Sequence, residues 1–256
     1  MNLQSISDKA KKLLVLNKPH IFFMRIPKTG STSIDLAISR HYPANSYEID
    51  SLKSLQATEA MHYGENIDFN QCLQLREALA AYAMSKDIKY ISGHVPYLKA
   101  LAEAHQEKYV YVTLLRDPVK RLISKYFFNF QKSDNHCSID ISLSEYLDSE
   151  KGIQSGCEYI KYLKGISKAN SYSLESEISI AKNNLSKFNV VGTLENLEKF
   201  VSDFYGKTGI QLKIPHKNAR EGANAKPQLD KTTLKNIESV CRPDIELYEY
   251  LTHIKG

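Results

Sequence analysis

Ile26-Pro27-Lys28-Thr29-Gly30-Ser31-Thr32-Ser33 sits between an apolar run, Ile21-Phe22-Phe23-Met24, and a helix-like segment, Ile34-Asp35-Leu36-Ala37-Ile38. A strand that breaks into a Lys/Gly/Ser/Thr loop and re-enters as a helix builds an anion site. The unpaired N–H groups of the helix start point at the ligand, hydroxyls add donors, and the helix dipole favours negative charge.

The order of residues departs from the Walker phosphate loop. In Gly-x-x-x-x-Gly-Lys-[Ser/Thr] the lysine follows the second glycine, whereas Lys28 comes two residues before Gly30. That shift argues against an ordinary ATP or GTP hydrolase and for a different phosphoryl-like group. A second segment narrows the choice. Tyr109-Val110-Tyr111-Val112-Thr113-Leu114-Leu115 reads as a buried strand, rich in β-branched and aromatic residues. It runs into Arg116-Asp117-Pro118-Val119-Lys120-Arg121-Leu122-Ile123-Ser124, where Pro118 suits a first helical turn and Asp117 an N-cap. Arg116 at the strand end and Ser124, about two turns into the helix, together offer charge and a hydroxyl to one phosphate.

The two motifs together resemble those of the sulfotransferases that use 3′-phosphoadenosine 5′-phosphosulfate (PAPS) and release 3′-phosphoadenosine 5′-phosphate (PAP). The wording is most similar to the polysaccharide branch, the heparan and uronyl 2-O-sulfotransferases of the Golgi. The resemblance implies a three-layer, P-loop-like α/β fold with a central parallel sheet flanked by helices. It implies that Lys28, Thr29, Gly30, Ser31, Thr32 and Ser33 hold the 5′-phosphosulfate and that Arg116 and Ser124 hold the 3′-phosphate. Lys89-Tyr90-Ile91-Ser92-Gly93-His94 resembles the Gly-His segment that supplies the base, which makes His94 catalytic and acceptor-facing. Val190-Val191-Gly192-Thr193-Leu194-Glu195-Asn196-Leu197 resembles a late strand and the helix after it. Pro215-His216-Lys217-Asn218 resembles the C-terminal cofactor-covering region and implies Lys217 and Asn218 as cofactor contacts. The chain departs from the relatives in having Ser92 where many carry a second histidine, so a single base is the simpler expectation. A membrane anchor of the kind they use is not expected in it.

The chain of 256 residues fits one α/β domain over 1–256, and its net charge of +5 is a mild excess rather than the field of a nucleic-acid binder. Such a balance suits an anionic cofactor and an anionic polymer; a carbohydrate acceptor is what the resemblance implies. Leu13-Leu14-Val15-Leu16 is too short for a signal or a membrane span, so the expected setting is the cytoplasm, most simply of a bacterium. A Golgi lumenal domain trimmed of its anchor is the alternative. Cys72, Cys137, Cys157 and Cys241 have no metal-ligand spacing, and reduced thiols are expected rather than a Cys137–Cys157 bridge.

Hydrophobic periodicity predicts strands over roughly 20–26, 88–93, 109–115 and 188–193. It predicts helices over 31–41, 71–84, 97–105, 118–131, 195–206, 229–240 and 243–253. Residues 5–16 read as a helix or loose arm, 43–70 as irregular or partly helical, and 138–186 as helix-leaning. The alternation implies a parallel sheet with ligands at the carboxyl ends of its strands.

Within that frame Lys28 is expected to neutralise the bridging oxygen as its bond to sulfur breaks. His94, titrating near neutrality, is expected to take the acceptor proton; an isolated histidine would more simply be structural. Arg25 is read as a substrate contact, though a solvated strand-end arginine serves equally. Asp117 is a cap, Arg121 a helix-surface charge rather than a second phosphate contact, and Tyr126-Phe127-Phe128 core. The competing functions are a nucleotide-dependent kinase, which would want a lysine after the glycine and a Mg²⁺-holding acid, and a non-catalytic polyanion-binding module. No cluster with metal-ligand spacing accompanies the loop, so no metal is expected.

Overall fold

The computed structural model describes residues 15–63, 68–130, 132, 137–166, 173–214 and 229–255. Five strands, β1 (His20–Met24), β2 (Ser46–Ile49), β3 (Tyr90–Gly93), β4 (Tyr109–Leu115) and β5 (Val190–Thr193), form one sheet in the order β2-β3-β1-β4-β5. Every pairing is parallel; Met24 lies opposite Gly93 on one side and Thr113 on the other. The helices are α1 (Ser31–Ser39), α2 (Ser51–Met61), α3 (Phe69–Ser85), α4 (Lys99–His105), α5 (Pro118–Phe130), α6 (Leu143–Asp148), α7 (Glu150–Gly156), α8 (Glu158–Lys164) and α9 (Leu174–Leu185). After β5 come a short 3₁₀ turn (Leu194–Asn196), α10 (Leu197–Thr208), α11 (Lys231–Val240) and α12 (Arg242–Lys255).

Parallel strands are covered on both faces, which is why β1 reads as a continuous apolar run rather than an alternation. Successive side chains then serve opposite cores. Phe22 and Met24 pack with Ile91, Tyr111, Ala80 and Met84 and with Tyr159, Ala181 and Leu247 from α8, α9 and α12. Ile21 and Phe23 pack with Val112, Leu114, Ile34, Ala37, Ile38, Phe200 and Phe204, so α1 and α10 form the other layer. The expected three-layer α/β architecture with a central parallel sheet is thus the architecture found.

The expected strands and helices recur with ends shifted by one to a few residues, and Asp117 does cap α5, accepting from Lys120 N–H at 2.8 Å. Region 43–70 required revision. It holds β2, which adds the sheet's edge beside β3, followed by α2 with Asp50 as its N-cap. Three of the four β2 residues are exposed, so Ser46-Tyr47-Glu48-Ile49 carries no core pattern; pairing with β3 makes it a strand. Arg121 is a second correction. It is fully buried, facing Glu158 and Asp244, instead of decorating a helix surface.

The order of strands fixes where a ligand fits. From β1 the chain moves out to the β2 edge, whereas from β4 it moves to β5 at the opposite edge. The crevice between the carboxyl ends of β1 and β4 is therefore a topological switch point, the place where open α/β sheets bind ligands. The Lys28 loop leaves one of those strands and Arg116 the other.

Candidate active site

The Lys28 loop closes through two left-handed residues, Lys28 at φ 68° and Gly30 at φ 80°. A lysine in that region is uncommon and costs free energy, so it marks a backbone held by its surroundings. Thr29 is buried and its Oγ1 donates to Ile26 O at 2.9 Å, which ties the loop to the strand it left. Its hydroxyl is thereby spent on the loop, leaving Thr29 a backbone contributor. Gly30 occupies the N-cap of α1, where no side chain caps the first-turn N–H groups. Ser31 is buried, Ser33 half-buried and Thr32 exposed around that helix start. A Cβ on Gly30 would lie 2.9 Å from Leu194 Cδ1 in addition to the strain of its φ. Gly30→Ala is expected to cost about 1–2 kcal/mol of stability and to weaken anion binding; unchanged phosphate affinity and an unchanged urea midpoint would refute this.

Lys28 Nζ rests 3.5 Å from the centroid of Phe128, which is 52% exposed; Lys132 Nζ lies 5.0 Å from the same ring. Of the aromatic run expected in the core, only Tyr126 is buried. Phe128 instead meets the loop lysine through a cation–π contact.

Three strand ends meet at this loop. From β4, Arg116 NH1 donates to Lys28 O at 3.3 Å. Its Nε is buried and has no hydrogen-bond partner among the described residues, a donor left over for an anion. From β3, His94 Nδ1 lies 2.8 Å from Arg25 O, and Gly93 O accepts from Arg25 N–H at 2.9 Å. A carbonyl can only accept, so His94 Nδ1 carries the hydrogen and Nε2 keeps its lone pair. Arg76 on α3, which sequence reading did not single out, donates to His94 O at 3.1 Å and is itself fixed by Ser54 Oγ and Ser51 O. Burial pushes the imidazole pKa down to about 4; the bond to Arg25 O opposes this, while the charges of Arg25 and Arg76 add to it. The imidazole therefore does not titrate near neutrality as expected; at neutral pH it is wholly in its neutral, proton-accepting form.

Arg25 has other employment. It is buried, and its NH1 pairs with Asp35 at 2.8 Å and Glu48 at 2.6 Å, locking β1 to α1 and to the β2 edge. Ser92, the position of the relatives' second histidine, is buried in β3. Ser124 is half-buried on α5. Lys217 and Asn218 lie outside the described residues. Among the described residues no three His, Cys, Asp or Glu side chains form a metal-binding group, and no helix is long and apolar enough to cross a membrane.

A strand–loop–helix turn thus stands at a switch point of the α/β sheet, with a neutral imidazole on one flank and an arginine on the other. Comparison with known proteins gives the family. The sulfotransferase family model matches residues 11–251, and the chain belongs to that family. Curated relatives include heparan sulfate 2-O-sulfotransferase 1 of Homo sapiens and of Gallus gallus, each 26% identical over 110 residues. The Mus musculus protein is 24% identical over 108 residues. Each alignment covers 42% of this chain and 28% of the relative, so the matched stretch spans under a third of those proteins.

Proposed function

We propose that this protein transfers a sulfuryl group from PAPS to a hydroxyl of a carbohydrate acceptor. The observation that carries the reading is the convergence of His94, the Lys28 loop and Arg116 on adjacent strand ends, with the imidazole hydrogen fixed on Nδ1. Membership of the sulfotransferase family supports the reaction, and the heparan sulfate enzymes among the relatives support a carbohydrate acceptor.

In this reading the acceptor oxygen attacks sulfur as its proton passes to His94 Nε2. The bond from sulfur to the bridging phosphate oxygen breaks, and PAP leaves. Lys28 supplies positive charge to that departing oxygen, and the first-turn N–H groups of α1 with Ser31, Thr32 and Ser33 hold the 5′-phosphosulfate. Arg116 and Ser124 take the 3′-phosphate, with Lys217 and Asn218 as further cofactor contacts. Catalysis of this kind is positioning plus electrostatics.

The 3′-phosphate provides the test. Losing a charge-assisted contact is worth about 1.5–3 kcal/mol, so PAPS should bind more than about tenfold more tightly than adenosine 5′-phosphosulfate. Equal affinities in a calorimeter would overturn the donor assignment. Transfer of labelled sulfate is also expected to persist in excess EDTA. A strict Mg²⁺ requirement would instead favour the kinase reading.

A further inference from the structure

We propose that Tyr159 is a positioning residue for the reaction, its hydroxyl clamping the backbone of Arg116 so that the guanidinium meets the nucleotide 3′-phosphate from a fixed base. The proposal rests on the donor reading above. The ladder between β4 and β5 ends at Leu115 opposite Thr193, so Arg116 lies one residue beyond the sheet's support. What holds it comes from α8. Tyr159 Oη accepts from Arg116 N–H at 2.9 Å and donates to Arg116 O. One phenol thus satisfies both backbone groups of a single residue, because a hydroxyl carries a donor and lone pairs on one atom.

The clamp is itself anchored. Tyr159 is fully buried, its N–H lies 3.0 Å from both carboxylate oxygens of Asp244, and the Arg121 guanidinium lies 5.4 Å from its ring. Burial first, then the neighbouring Asp244 charge, raises the phenol pKa well above its ordinary value despite the opposing Arg121 charge, so the donor persists at any working pH. The next residue is held too, since Asp117 N–H donates to Glu195 at 3.1 Å. On the side-chain end, Arg116 reaches Lys28 O while its buried Nε has no partner among the described residues. A backbone pinned on both sides thus carries a side chain with a donor to spare, the arrangement a preorganised phosphate contact needs. A purely space-filling Tyr159 would need its ring but not its hydroxyl, and that difference is what an experiment can read.

The experiment titrates full-length protein with adenosine 3′,5′-bisphosphate and with adenosine 5′-phosphate in a calorimeter, for wild type, Tyr159→Phe, Arg116→Ala and the double variant. Wild type is expected to prefer the bisphosphate more than about tenfold. Tyr159→Phe should cut that preference roughly fivefold while leaving 5′-phosphate affinity within about twofold. Added to Arg116→Ala, it should change the preference no further, because the hydroxyl acts through Arg116. A preference equal in wild type and Tyr159→Phe, or additive losses in the double variant, would overturn the clamp while leaving the donor reading intact. Absence of any preference in wild type would overturn both. Should the Phe variant not fold, amide hydrogen exchange of wild type decides: the Arg116 N–H should exchange at least about 100-fold more slowly than an unprotected amide, and unprotected exchange there would refute the clamp.

Discussion

His94→Ala is expected to lower kcat by roughly 10²–10⁴ while leaving donor affinity nearly unchanged. The reasoning rests on a lone pair. His94 Nδ1 is committed to Arg25 O, and Arg76 holds His94 O, so ring and backbone are both fixed with Nε2 as the proton acceptor. Lys28→Ala should behave differently, losing donor affinity as well as rate, because its charge acts on the phosphosulfate before and during transfer. The pH dependence follows from the depressed pKa of about 4. The working form is the neutral one, populated above that value, so kcat/KM should stay level from neutrality down to about pH 5 and fall as pH drops through about 4. An ordinary histidine would lose activity near 6.5. An acidic limb near 6.5 would show that the imidazole is solvated in the free enzyme. More than about a third of wild-type kcat remaining in His94→Ala would place the base elsewhere, with His62 at the end of α2 or a carboxylate of the 43–70 region the first alternatives.

Where sequence reading succeeded, the signal was local. The β1 and β4 runs are apolar because both faces of a parallel sheet are covered, and the Lys28 loop and Arg116-Asp117-Pro118 follow directly at their ends. Adjacency of β1 to both β3 and β4 then brings Lys28, His94 and Arg116 together. The β2 strand failed the same test because it is an exposed edge of four residues whose partner lies more than forty residues on. Arg25 shows a different limit. Its neighbours in sequence mark it as a strand-end residue beside the loop, but Asp35 and Glu48, which occupy its guanidinium, come from a helix and from that unrecognised strand.

Residue type suggests roles at the candidate site but carries no protonation state. A histidine after a glycine at a strand end invites the role of base; its depressed pKa comes first from burial and then from the charges of Arg25 and Arg76, 69 and 18 residues away in sequence. Tyr159 carried no motif, and Asp244 stood out only as the start of Asp244-Ile245-Glu246-Leu247-Tyr248, a segment that resembles the relatives' C-terminal cofactor-covering region. Tyr159 acts on the N–H and C=O of Arg116, and Asp244 on the N–H groups of Tyr159 and Ile160; such long-range contacts to backbone leave no periodicity to read.

Arg121→Met is expected to destabilise the fold by about 3–5 kcal/mol, the cost of removing one partner from a buried ionic group. Methionine keeps the length of the stem, so the loss reports charge and hydrogen bonding more than volume. Arg121 is wholly buried, with NH1 3.7 Å from Glu158 and NH2 3.7 Å from Asp244, and NH2 also donates to Ser155 O. It therefore joins α5 to α7, α8 and α12. The two carboxylates are not equally served. Burial acts to raise both, but Glu158 also holds Lys125 at 2.5 Å, and the two cations together bring it down to about 2. Asp244 has only Arg121 and the N–H groups of Tyr159 and Ile160 against its burial, and it is pushed up to about 7. Removing the guanidinium strands Asp244 first, which should take up a proton at neutral pH. Part of the loss should therefore be recovered in Arg121→Met combined with Asp244→Asn, where no charge is left to strand and the amide oxygen still accepts from α8. Urea unfolding at pH 7 checks both. A loss below about 1 kcal/mol for the single variant would mean that the network is hydrated and the group solvent-screened. No recovery in the double variant would place the cost in the bond to Ser155 and the packing against Tyr159 instead of in the stranded acid.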